Sequence, residues 1–112
     1  MNTDKLPSEW VKGLLPFAVL SILSKENTHG YQLIVRLREA GLGEIRGGTV
    51  YPLLARLEES GLVSFAWKHD DSGPAKKIFT LTATGTASFE RLRELWPSFS
   101  ATIQRLGDRK IS

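Results

Sequence analysis

The sequence predicts a mainly α-helical chain that carries one β-hairpin, and three observations lead there. Three segments before residue 62 space their apolar side chains at helical period. Residues 62–82 then change to period two around a turn rich in Asp, Ser, Gly and Pro. A last long segment returns to helical period with an apolar stripe. Helix, helix, helix, hairpin, helix, with a tight link inside the second pair, is the layout of a winged helix-turn-helix with a C-terminal dimerisation helix. Residues 1–82 are expected to form the winged unit and 83–112 the dimerisation helix, in one compact body.

The first block, "LLPFAVLSILS", is apolar almost all round, which marks a helix buried on most sides. Pro16 fits a first turn, so this helix starts near Leu14, or an earlier turn from Ser8 kinks at Pro16. "KENTHG" breaks it, and Asn27 or Thr28 is the expected cap of a second helix over His29–Ala40. Ile34, Leu37 and Leu33 make its inner face, while Gln32, Arg36 and Glu39 point outward. Gly41 and Gly43 end it.

Val50, Leu53, Leu54 and Leu57 lie at i, i+3, i+4 and i+7 and form the inner face of the third helix, which stops at Ser60-Gly61. Its opposite side carries Gly48, Thr49, Pro52, Ala55, Arg56 and Glu59, with Tyr51 at the flank. Small residues at a helix start let a large partner approach the outward-pointing N–H groups, and a duplex phosphate is one such partner. Thr49 and Tyr51 add hydroxyls and Arg56 a planar cation, as a recognition helix in a major groove requires.

In the hairpin, Val63, Phe65 and Trp67 alternate with Ser64, Ala66 and Lys68, and the returning strand alternates likewise. "HDDSGPAK" is expected to form a tip of about six to eight residues. Lys76 and Lys77 beside it are placed to straddle a phosphate backbone, with Asp70 and Asp71 expected to point away or to keep the wing's affinity modest. The last segment has Thr82 or Thr84 as cap candidate and the stripe Phe89, Leu92, Leu95, Trp96, Phe99, Ile103 and Leu106, which Pro97 is expected to kink or interrupt. Such a stripe is too large to leave in water, and a two-fold dimer is its commonest cover; packing on the first helix is the alternative.

Composition narrows the function. At 41% hydrophobic and 24% charged residues the chain belongs with folded proteins, and a net charge of +3 permits a nucleic-acid partner without demanding one. It has no cysteine, which suits a reducing cytosol, and no visible secretory signal. Leu14–Leu23 is too short to span a bilayer, so a cytoplasmic protein is expected. The two histidines, His29 and His69, are far apart, no metal-ligand spacing is present, and no nucleophile–base set or phosphate loop stands out; neither catalysis nor a cofactor is expected. The rival to a DNA reader is a winged-helix protein-interaction module without DNA binding.

The stretches "HGYQLI" (29–34), "GTVYPLLARLEESGLV" (48–63), "SGPAKKIFTLT" (72–82) and "TGTASFERL" (84–92), in this order and spacing, resemble the PadR family of bacterial transcriptional regulators. With "LLPFAVLSILS" the resemblance covers most of the chain from about residue 14 to 96. It implies a homodimer with winged-helix heads, often a repressor that small, commonly aromatic, molecules release from operator DNA. The short members carry one C-terminal helix that packs with the first helix of the partner. Carried over, the DNA-facing positions are Tyr31, Gln32, Thr49, Tyr51, Arg56, Lys76 and Lys77. In some short members tryptophans of the last helix stack on flat aromatic drugs at the dimer centre. Trp96 would take that part here, with Trp10, Leu14, Phe89 and Phe99 as walls. Two departures stand out. Arg46 replaces a small capping residue before the third helix and is positioned to add a phosphate contact. Pro97 falls where short members run a continuous helix.

Overall fold

The computed structural model describes residues 6–70 and 72–108. Its elements are α1 (Ser8–Leu23), α2 (Gly30–Glu39), α3 (Gly47–Glu59), β1 (Val63–Asp70), β2 (Gly73–Leu81) and α4 (Ala83–Leu106). The core lies where α1, α2 and α3 meet. Leu15, Val19, Leu20 and Leu23 pack there against Leu33, Ile34 and Leu37, and against Val50, Leu53, Leu54 and Leu57. Val63, Phe79 and Phe89 close it from the hairpin and the root of α4. No helix of the described residues is long and apolar enough to cross a membrane.

Two glycines shape the helix-turn-helix. Gly41 and Gly61 adopt φ of +94° and +79°, the left-handed conformation that glycine alone enters without cost. After α2 the Gly41 N–H donates to the Arg38 carbonyl and the Leu42 N–H to the Leu37 carbonyl. After α3 the Gly61 N–H donates to Glu58 and the Leu62 N–H to Leu57. Both are Schellman ends, and both turn the following leucine back onto the core.

The start of α2 corrects the sequence reading. Neither Asn27 nor Thr28 caps it. His29 does, its Nδ1 accepting from the Gln32 N–H at 3.3 Å. Thr28 is committed elsewhere. Its N–H donates to the Phe79 carbonyl at 3.2 Å and its carbonyl accepts from the Phe79 N–H at 2.8 Å, so a one-residue antiparallel bridge ties the α1–α2 link to β2. The bridge uses up Thr28 and α2 begins later.

The hairpin also differs from expectation. The strands pair as far as Asp70 opposite Gly73, with an irregularity between Lys68 and Asp70, so the tip is far tighter than six to eight residues. Asp70 accepts from the Ser72 N–H at 3.2 Å, which lets a side chain close the turn. Pro74 is tolerated in β2 because a two-stranded ribbon has an outer edge that needs no N–H. Asp71 lies outside the described residues.

None of the three internal prolines breaks its helix. α1 runs from Ser8 through Pro16, α3 runs through Pro52, and α4 runs for 24 residues through Pro97. The bond that Pro97 cannot donate would have gone to Arg93, which is exposed, so water can satisfy that carbonyl. α1 is not buried on most sides within one chain: Trp10 and Leu14 are exposed and Phe17 is half-buried.

The first turn of α4 is fastened to the turn after α3. Thr82 caps α4 through its Oγ1, which accepts from the Gly85 N–H at 3.0 Å and donates to the Gly61 carbonyl at 2.6 Å. The Thr82 N–H donates to the Leu62 carbonyl at 3.1 Å. Gly85 lies directly on that peptide. A methyl there would overlap the Leu62 carbonyl oxygen and stand 2.9 Å from its carbon. α4 leaves this joint as a long arm. The radius of gyration is 16.4 Å, against about 13 Å for a compact chain of this length.

Two outcomes are expected. Gly85→Ala gains helix propensity but drives a methyl into backbone that cannot swing aside, so it lowers stability by about 1–3 kcal/mol in urea titration; a neutral or stabilised variant would contradict the close contact. Partial burial, and then the charge of Lys76, push the His29 pKa below its ordinary value of about 6.5. The unfolded chain therefore takes up the proton first, and the cap's contribution is complete above pH about 6.5 and lost as pH falls through the folded-state pKa. His29→Asn keeps a capping side chain without the titration, and its stability profile is expected to be flatter between pH 7 and 5.

Candidate nucleic-acid interface

α3 presents three strips. Val50, Leu53, Leu54 and Leu57 face inward. Tyr51, Leu54, Ala55 and Glu58 edge toward the hairpin, where they line a groove of about 510 Å³ with His29, Gly30, Tyr31, Lys76, Lys77 and Phe79. Thr49 turns to the other flank, beside the start of α1 and the α2–α3 loop. Between the flanks, Gly48, Pro52, Ala55 and Arg56 stand in solvent. The front of the helix is thus a low surface bordered by hydroxyls and closed at its far end by Arg56 and Glu59.

Four of the eight DNA-facing candidates gather in one place. Tyr31, Tyr51, Lys76 and Lys77 share the groove between α3 and the hairpin. Tyr31 and Tyr51 are 62% and 50% exposed, far more than packing residues of this size would be. Gln32 is half-buried at the start of α2. With its amide oxygen toward Arg36, it accepts from both terminal guanidinium nitrogens at 3.2 Å. Arg36 itself is held by Glu26 at 3.0 Å and Glu39 at 3.4 Å; the Glu26 hydrogen bond comes first among the causes that raise its pKa. Arg46 occupies the N-cap position of α3 without a side-chain cap bond, and among the described residues its guanidinium pairs with the exposed Glu44 at 3.4 Å. A pair this exposed contributes little and leaves Arg46 able to exchange partners.

The two wing lysines do not act as a matched pair. The register sets Trp67 opposite Lys77 and Lys68 opposite Lys76, on opposite faces of the ribbon. The Lys77 ammonium lies 4.1 Å from the Phe65 ring centroid and 5.6 Å from that of Trp67. Those two rings meet edge to face, and Phe65 packs at a tilt against Phe79 toward the core. Lys77 is therefore a cation held on an aromatic cradle, whereas Lys76 is exposed beside His29. The sequence analysis did not single out this cradle; the alternation of Phe65 and Trp67 on the strand opposite Lys77 was the available signal.

The α4 stripe divides in two. Phe89 is buried inside the chain, 6.2 Å from the Phe17 ring. Trp96 reaches back to Phe17 at 6.3 Å but stays 41% exposed. Leu92, Leu95, Phe99, Ile103 and Leu106 are exposed along the arm. Leu14 and Phe17 of α1 join Leu92, Leu95, Trp96 and Phe99 around an open apolar groove of about 520 Å³. Phe89 and Trp10 do not line it.

This architecture has close counterparts. A model of the transcriptional regulator PadR-like family matches residues 19–91, from the middle of α1 to the root of α4. The transcriptional regulator YqjI of Escherichia coli (strain K12) is 33% identical over 84 residues, which cover 73% of this chain and 39% of that protein. The chain thus spans about two fifths of the length of the curated relatives it matches. Among solved structures, a PadR-like transcription factor from Bacteroides fragilis superposes with a TM-score of 0.77 at 32% identity, covering 89% of this chain and 96% of that one. A PadR family transcriptional regulator from Eggerthella lenta gives 0.83 at 29%, over 92% and 89%. PadR of Bacillus subtilis, solved in complex with operator DNA, gives 0.64 at 25%, over 70% and 45%. A winged helix-turn-helix whose matched stretch includes α2, α3 and the whole wing belongs to the PadR-like family of transcriptional regulators, which are not enzymes.

Proposed function

We propose that this regulator is a sequence-specific, ligand-responsive DNA-binding repressor that works in the cytoplasm as a homodimer on a palindromic operator. The observation that carries the reading is the front of α3, a strip of small side chains between two flanks, with Tyr31, Tyr51 and the wing cations converging on one side. A strip of that kind lets a helix sink into a major groove until Thr49 and Arg56 reach base edges, while Lys76, Lys77 and Arg46 meet phosphates. The operator complex of the Bacillus subtilis relative supports the same use of this fold.

The homodimer rests on the exposed arm. Among the described residues Leu95, Phe99, Ile103 and Leu106 stay 47–70% exposed, and burying each is worth up to about 1.5–3 kcal/mol. A second copy laid antiparallel along α4 and α1 covers them and sets two recognition helices for half-sites about one helical turn apart, or a multiple of it. The groove of Leu14, Phe17, Leu92, Leu95, Trp96 and Phe99 would then lie at the dimer interface and fit a flat aromatic effector. Such a molecule weakens DNA binding only if it prefers the geometry that does not fit the operator.

The test is a band-shift titration against the chain's own upstream DNA and random DNA of equal length, at two salt concentrations. Preference for the upstream duplex, with affinity that falls as salt rises, is expected. Changing Lys76 and Lys77 to Ala together should weaken both duplexes alike and flatten the salt slope by about 2, whereas Arg56→Ala should erase part of the preference, worth about 1–3 kcal/mol. No binding at either salt would favour a protein-interaction module instead. Ile103→Glu should turn the dimer into monomer in sedimentation and weaken operator binding without lowering the head's secondary structure; a variant that stays dimeric would refute α4 as the interface.

A further inference from the structure

We infer that Gly30 and Gly47 are positioning residues for the DNA contact: together they form a slot that holds the Tyr51 ring across the seam between the first turns of α2 and α3. The inference rests on the duplex reading proposed above. Each glycine is the first residue of its helix. Neither has a positive φ, so conformational freedom does not explain glycine at either place. Space does. A methyl on Gly30 would overlap Cε1 of Tyr51 and stand 3.0 Å from Cζ and 3.1 Å from Cδ1. A methyl on Gly47 would stand 3.0 Å from Cε2 and 3.1 Å from Cδ2. The two edges of one ring thus each face one bare α-carbon. Gly48, next in the chain, has nothing within 4 Å of the same hypothetical atom, and neither has Gly13 on α1.

The slot does two things. It stacks the two helix starts on one rigid plate, which fixes their spacing at the surface that meets the duplex. It also restricts the Tyr51 side chain before any partner arrives, while half of that side chain remains exposed beside Tyr31 and Lys76. A phenol already held in place loses less rotamer freedom when it contacts a phosphate or base. When the slot is filled, the ring is what gives way, because it is the far end of a side chain on two torsions and the helices are not. Gly30→Ala therefore displaces Tyr51 and leaves the fold in place.

The experiment is a double-mutant cycle read in operator affinity, with melting temperature measured alongside. Gly30→Ala is expected to weaken operator binding about tenfold in the wild-type background, in the range of coupled neighbours, and to cost nothing further in a Tyr51→Ala background. If Gly30→Ala costs the same factor in both backgrounds, or costs nothing in the first, the positioning role is wrong. Should Gly30→Ala fail to fold, Gly47→Ala carries the same cycle, since there the ring needs to shift by only a few tenths of an ångström. Absence of duplex binding by the wild-type protein would overturn the DNA reading itself; wild-type binding with additive variants would overturn the slot alone.

Discussion

The joint between the turn after α3 and the first turn of α4 governs the molecule. Three hydrogen bonds from Thr82 and the close seat of Gly85 on the Leu62 peptide fix where α4 begins and in which direction it leaves. The same peptides lead directly from α3 into β1, so the recognition helix, the wing and the arm share one anchor. Without the joint, Phe89 could not close the core from the root of α4, and the apolar stripe beyond it would have no fixed direction. The Gly85 seat is a contact with the Leu62 peptide itself, so no side chain can yield there and a Cβ at position 85 is costly.

A second tie completes the frame. The bridge between Thr28 and Phe79 holds the wing to the start of α2, just as Thr82 holds it to the end of α3. Both ends of the helix-turn-helix are therefore fastened to one hairpin. His29 sits at this crossing as cap of α2 and neighbour of Lys76, which explains why its protonation is disfavoured from two directions. Charge is otherwise sparse on the front of α3 itself. The cations lie around the strip and the middle of it is small and nearly neutral, the distribution expected where phosphates are met at the rim and bases in the centre.

Much of this was legible in the sequence because it is decided locally. The spacing of Val50, Leu53, Leu54 and Leu57 picks out the buried face of α3, Gly41 and Gly61 stop their helices by their own conformation, and Thr82 caps α4 three residues ahead of its partner. What was missed depends on distant residues. The cap of α2 passed to His29 because Phe79 claimed Thr28, and no window around residue 28 contains Phe79. The hairpin ran further toward its tip because a side chain of Asp70, not a longer loop, closed the turn. At the prolines the sequence left two outcomes open: α1 begins at Ser8, as one of the two readings of Pro16 had it, and Pro97 does not interrupt α4. For the candidate site, residue type and helical phase singled out Tyr51, Thr49 and Arg56, which lie off the buried face of α3. The packing of the Tyr51 ring against two glycines and of Lys77 over Phe65 is a tertiary matter, visible only once the elements are assembled.

The uninterrupted length of α4 has a mechanical meaning. Its 24 residues make a rod about 36 Å long, rooted rigidly at Gly85. In a two-fold assembly whose rods cross near Trp96 and Phe99, roughly 20 Å from the root, a tilt of about 10° would move each root by about 3.5 Å. Neighbouring base pairs are about 3.4 Å apart, so the same tilt would carry a reading head about one base pair out of step. On the proposed dimer, a molecule held among Leu14, Trp96 and Phe99 would shift the heads from a distance, without touching them.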